Sequence, residues 1–200
     1  METKLAELKI QIAQCRNCRL CETRNKTVPG EGPANAKIML IGEAPGEVND
    51  REGRPFVGHG GKILDKILAE CELKRSDIYI TNTLRCWPPK NRVPKKDELA
   101  LCHQYLKSEL EIIKPICIIT LGATAYRVIT GSTIKLREEH GTILRCNDWI
   151  VCPTFHPNAL RYIKGGVQTL VADIRQAMAA AQISTSPQSN MLFEGTDFHV

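Results

Sequence analysis

A chain of 200 residues, 42% hydrophobic and 24% charged, has the size and balance of one soluble globular domain that can bury a core without disulfides or metal to hold it up. No stretch approaches the roughly 18 apolar residues of a membrane span, and the charged, amphipathic start METKLAELKIQIAQ is unlike a secretion signal, so a cytoplasmic protein is expected. A formal net charge of +5 permits a polyanion as partner without requiring one.

From the N-terminus, residues 2–14 predict a helix bearing Leu5, Leu8, Ile10 and Ile12, followed to Gly32 by an irregular basic segment ending in VPGEG. The run AKIMLIG predicts a strand over Lys37 to Ile41. It leads into the long loop GEAPGEVNDREGRPFVGHGG, Gly42 to Gly61, and a helix from about Gly60 to Cys71. Glycine and proline steer this loop, Glu43, Glu47, Asp50 and Arg54 charge it, and Phe56 gives it one flat apolar face. DIYITNT, Asp77 to Thr83, alternates as a second strand; LRCWPPKNRVPKK is loop, and KKDELALCHQYLKSELEIIK is helical. PICIITLG predicts a buried third strand that turns at Gly122 into the short helix ATAYRVITG. A strand or hairpin pattern covers Thr142 to Cys152, then comes the loop PTFHPNALRYIKGG and a last helix from Val167 to Ala181. The polar, aperiodic residues 182–200 predict a disordered tail behind a domain of residues 1–181.

Alternating strands and helices predict an α/β fold: a single-domain three-layer sandwich whose central, mostly parallel four-stranded sheet is flanked by helices. The loops at Gly42, Asn82, Gly122 and His156 would then lie along one sheet edge and could share a site.

Nine cysteines are many for a reducing compartment. Cys71, Cys117, Cys146 and Cys152 lie in or beside apolar runs and read as small buried hydrophobes. Cys15, Cys18 and Cys21 form CRNCRLC, and Cys86 and Cys102 bracket the proline-rich loop. A CxxC pair turns two thiolates onto one centre, and Cys86 and Cys102 are candidates for the other two. Four thiolates suit zinc and a 4Fe–4S cluster equally.

GEAPGEVNDREGRPFVG, TNTLRCWPP and FHPNAL, in this order and with CRNC and Cys102 at these spacings, resemble the family 4 uracil-DNA glycosylases, the iron–sulfur type of archaea and bacteria. The resemblance spans roughly residues 10–180. It implies a 4Fe–4S cluster on Cys15, Cys18, Cys86 and Cys102, with Cys21 a spare thiol. It also implies a monomer that flips uracil out of single- or double-stranded DNA and hydrolyses its glycosidic bond, starting base excision repair. Phe56 would stack on the uracil, Gly42 and Ala44 of the GEAPG motif would help to bind it, and Asn82 would bind the uracil edge. His156 would donate to uracil O2 as it becomes anionic, and Leu160 would fill the vacated space in the DNA stack. Glu43 would position water and support the sugar cation. Ala44 stands where the best-known uracil-DNA glycosylases carry a catalytic aspartate. Asn49 stands where the family carries a glutamate implicated in catalysis and in rejecting the thymine methyl. This opens two alternatives: a broadened base range that takes thymine or hypoxanthine, or a uracil-DNA binder of weak catalysis. DNA backbone contacts are expected from VPGEG, from Lys90, Arg92, Lys95 and Lys96, from His59 and from the Gly122 turn. The apolar islands MLF and DF of the tail are a candidate docking point for a protein partner such as a sliding clamp.

Overall fold

A computed structural model describes residues 1–183 of the chain. In order the elements are α1 (Glu2–Gln14), β1 (Ile38–Gly42), α2 (Glu47–Glu52), α3 (His59–Glu70), β2 (Tyr79–Asn82), α4 (Lys96–Ile113), β3 (Cys117–Leu121), α5 (Ala123–Thr130), α6 (Leu136–Glu139), β4 (Leu144–Cys146), β5 (Trp149–Thr154) and α7 (Gly166–Ile183). The sheet order is β2-β1-β3-β5-β4. Every neighbouring pair is parallel except β4 and β5, which form an antiparallel hairpin.

The strands' alternating side chains build two cores, because successive residues of a strand point to opposite faces. Met39, Ile41, Ile118 and Val151 face α1, α4 and α5, meeting Leu8, Ile12, Leu106 and Ile129. Leu40, Ile80, Ile119 and Ile150 face α3 and α7, meeting Leu64, Ile67, Leu170 and Ile174. The expected three layers result. Cys71, Cys117 and Cys152 are buried in the second core as expected, and Cys146 is half-buried against the first.

Three local features depart from the sequence reading. The sheet has five strands, not four, because the Thr142–Cys152 pattern is a hairpin whose first arm, β4, is a short edge strand. Leu144 in it is 39% exposed, so the arm carries no apolar run to announce it. Within the Gly42–Gly61 loop, EVNDRE winds into α2 with no apolar periodicity, and Gly53 at φ 75° ends it. At the other end of the chain, α7 runs to Ile183, two residues beyond Ala181; the expected disordered tail and its docking islands lie outside the described residues.

β1 connects to β2 on one side and has β3 on the other, so the chain reverses its direction of travel across the sheet between β1 and β3. The crevice beyond the carboxyl ends of these strands is where open α/β sheets bind ligands.

Candidate active site

A pocket of about 450 Å3 occupies that crevice, lined by Glu43, Phe56, Asn82, Gly122 and His156 among others. The four loops expected to share an edge do meet there. Asn82 closes β2 and is 2% exposed, and its Oδ1 has no hydrogen-bond partner among the described residues. A buried acceptor left unpaired costs about 1–3 kcal/mol, so a ligand donor at this point would be strongly favoured. Gly42 makes the approach possible: a Cβ there would stand 2.5 Å from Asn82 Oδ1 and 2.7 Å from Phe56 Cζ.

Phe56 adopts φ 52°, a left-handed backbone uncommon outside glycine. Two devices hold it. Arg75, ion-paired with Asp65 at 2.6 Å, donates to the carbonyls of Pro55 and Phe56. Gly61 leaves the room, since a Cβ there would fall 1.7 Å from Phe56 O. The ring is thereby laid against the imidazole of His156, centroids 5.6 Å apart and planes 30° from parallel.

His156 caps the 3-10 turn Pro157–Tyr162, its Nδ1 accepting from Asn158 N at 3.2 Å. The acceptor role of Nδ1 leaves the proton of the neutral ring on Nε2. One edge of the ring stays open to the pocket, yet the surrounding protein desolvates it and pushes its pKa down to about 4. The imidazole is therefore an uncharged donor at neutral pH. Glu43 opposite is oriented by Thr124 in the first turn of α5, whose Oγ1 donates to Glu43 Oε2 at 2.5 Å. Ala44 lines the wall beside it.

Two expected site residues sit differently. Asn49 lines the pocket, but its Oδ1 accepts from Gly46 N at 3.0 Å and its Nδ2 donates to Arg54 O at 3.0 Å. Both ends of the carboxamide therefore clasp the loop around α2. Leu160 is 6% exposed and packed into the second core, so it does not project as a wedge; Tyr162, two residues on, is 71% exposed with the Arg161 guanidinium 4.6 Å over its ring. Sequence reasoning missed Thr124, Arg75 and Asn158. A hydroxyl in the turn after the third strand was the available signal for Thr124; Arg75 gave none.

Against known proteins, the model of the uracil DNA glycosylase superfamily matches residues 29–179. A type-4 uracil-DNA glycosylase of Sulfurisphaera tokodaii is 40% identical over 79% of this chain and 76% of its own. One from Saccharolobus solfataricus is 37% identical over 94% and 91%. The chain belongs to the uracil DNA glycosylase superfamily, in its type-4 family. A solution structure from Methanosarcina acetivorans, 12% identical, shares the fold with a TM-score of 0.50 over 77% of this chain and 98% of the other.

This type-4 family member carries a second assembly. Cys15, Cys18, Cys86 and Cys102 line one cavity together with Arg85 and Leu101, while Cys21 does not line it. Arg24 Nη1 donates to Cys86 Sγ at 3.3 Å, and Arg85 N donates to Cys102 Sγ at 3.3 Å. Burial pushes Cys86 up to about 11 and Cys102 up to about 12, so each stays a neutral thiol at pH 7 unless a metal centre takes the thiolate charge. No three His, Cys, Asp or Glu side chains among the described residues gather closely enough for a single ion.

The basic loop is only partly available to DNA. Arg92, on the pocket wall, is held by the wholly buried Glu98 at 2.6 and 2.8 Å, and Glu98 also accepts from Lys95 N at 2.9 Å. Arg92 thus props the rim. Lys90, Lys95 and Lys96 have no ion pair among the described residues and remain the loop's cations. His59 and the Gly122 turn also border the pocket; the VPGEG segment is fixed to the central loop by the pair Glu31–Arg54, and Asn25, three residues ahead of it, is bonded to Asp50 of α2.

Proposed function

We propose that this pocket takes a uracil flipped from DNA and hydrolyses its N-glycosidic bond, leaving an abasic site for base excision repair. The observation that carries the reading is the unpaired, buried Oδ1 of Asn82 beside Phe56 and the neutral His156. Uracil presents an imide N3–H between two carbonyls. Asn82 Oδ1 accepts from N3–H, its Nδ2 donates to O4, and the Phe56 ring stacks on the base. As the C1′–N1 bond breaks, its electron pair leaves with the uracil, and His156 Nε2–H donates to the oxygen on which that charge collects. A neutral donor suits this step, since it stabilises an anion without protonating it. The sugar is left an oxocarbenium ion; Glu43 opposes its charge, orients a water onto C1′ and takes the water's proton. Family membership supports uracil as the base. Asn49 serves as the clasp that holds the loop and supplies no charge, so the reaction depends on Glu43 and His156, and a broadened base range is not the favoured reading.

The donor set of the cysteine cavity fits a 4Fe–4S cluster on Cys15, Cys18, Cys86 and Cys102: four thiols lining one cavity, two of them met by N–H donors. Such a cluster supplies a cross-link between the N-terminal segment and α4, and the hydrolysis requires no electron from it.

Single-turnover incubation of the protein with duplexes bearing one uracil, thymine or hypoxanthine tests the reading. Cleavage of the uracil strand alone is expected. Retention of the uracil duplex without cleavage, or equal cleavage of all three, would overturn it.

A further inference from the structure

Arg85 lines the cysteine cavity and, through one pocket-lining residue, Asn82, reaches the base pocket. Its side chain is 1% exposed, and its charge is balanced inside the protein by Glu109, equally buried, at 2.7 Å. Glu109 is in turn fixed by Tyr79 Oη and Gly30 N, each donating to its Oε1 at 3.1 Å. So anchored, Arg85 directs Nη1 to the main-chain carbonyl of Asn82, while its own backbone N donates to Cys102 Sγ. It also lines the cysteine cavity, and its Nε is left with no hydrogen-bond partner among the described residues. A buried guanidinium N–H without an acceptor is unfavourable, and a cluster sulfur is the acceptor that this cavity would offer.

We propose that Arg85, held by Glu109, is a positioning residue that couples the cysteine cavity to Asn82, so that uracil affinity, and not stability alone, depends on what the cavity holds. The geometry leaves few degrees of freedom. One guanidinium plane fixes the carbonyl of the residue that reads the base, and the same residue's backbone N–H fixes one thiol of the cavity. A shift of that thiol moves Arg85 and, through it, the carboxamide whose Oδ1 awaits the base. The inference rests on the reading of Asn82 as the uracil contact and of the four cysteines as cluster ligands.

Arg85→Lys keeps the charge opposite Glu109 and removes the planar fork that reaches Asn82. Tyr79→Phe is the gentler second variant, loosening Glu109 without touching Arg85. The holoprotein of each is measured for iron content, visible cluster absorption, free-uracil affinity by calorimetry, and kcat and KM. Full iron content is expected in both. In Arg85→Lys the absorption shifts, uracil binds about tenfold more weakly, as the loss of one charge-assisted hydrogen bond gives, and kcat/KM falls through KM. Tyr79→Phe moves in the same direction by less, and carries the test alone if Arg85→Lys does not fold. Unchanged uracil affinity and unchanged absorption in a folded, iron-loaded variant would overturn the proposal while leaving the glycosylase reading intact. A wild-type protein that contains no iron would overturn the proposal and the cluster reading while leaving excision to be judged by single turnover, and one that binds no uracil would overturn the proposal together with the reading of Asn82.

Discussion

His156 is neutral because the protein around it withholds water from an imidazolium, and this has a consequence for pH. Its pKa falls from an unfolded value of about 6.5 to about 4, so the folded protein binds fewer protons than the unfolded chain in that window. The stability this contributes is fully present above pH 6.5 and is lost as pH falls toward 4. Urea midpoints of the wild type and His156→Gln, compared at pH 7 and at pH 4.5, should converge on the acid side, the wild type losing more. Uracil excision should show no inflection near pH 6.5. An inflection there that His156→Gln abolishes would mean that an imidazolium acts instead. At this scale the pocket residues inside motifs, Asn82, Phe56 and His156, were legible from sequence: Asn82 and His156 adjoin strand ends, and Phe56 is the flat apolar side chain of the long loop after β1. Thr124 was not, because its bond to Glu43 joins residues 81 apart in the chain and only the sheet brings them together.

Elements decide what a motif residue can do. The turn Pro157–Tyr162 winds so that Leu160 faces the α3 and α7 core while Tyr162 faces solvent. Leu160→Ala should therefore destabilise the fold by about 2–5 kcal/mol, as the loss of a packed side chain does, read as a lowered urea midpoint. Tyr162→Ala should leave stability within about 0.5 kcal/mol and slow excision from duplex DNA more than from a single strand, since an exposed ring on the turn that His156 caps acts only where there is a stack to enter. Stable protein from Leu160→Ala with a duplex-specific defect would restore Leu160 as the wedge. α2 gives the same lesson. Its helix depends on Asn49 and Gly53 rather than on apolar periodicity, so the pattern that reveals α3 and α4 is silent there.

Across the whole molecule, charge is distributed less freely than composition suggests. Arg19, Arg54, Arg75, Arg85 and Arg92 are each paired with carboxylates, so a net +5 overstates the cations ready to meet phosphate. Replacing Lys90, Lys95 and Lys96 together by alanine should reduce the slope of log affinity against log salt for duplex DNA by about 0.9 for each phosphate that the loop no longer neutralises, while Arg92→Ala should change stability more than slope. No change in slope for the triple variant would remove this loop from the DNA interface. The sequence by itself determined the strand–loop–helix alternation, and with it the sheet, the edge that carries the site and, through GEAPG, TNTLRC and FHP, the family. Local periodicity and turn chemistry act over a few residues and are written in the chain. Tertiary structure alone decided that Asn49 clasps its loop, that Leu160 is core, that Arg92 serves Glu98, and that Asn82 and Cys102 share Arg85. Each of these depends on which buried polar group or apolar face lies opposite, and packing sets that across long separations in the chain.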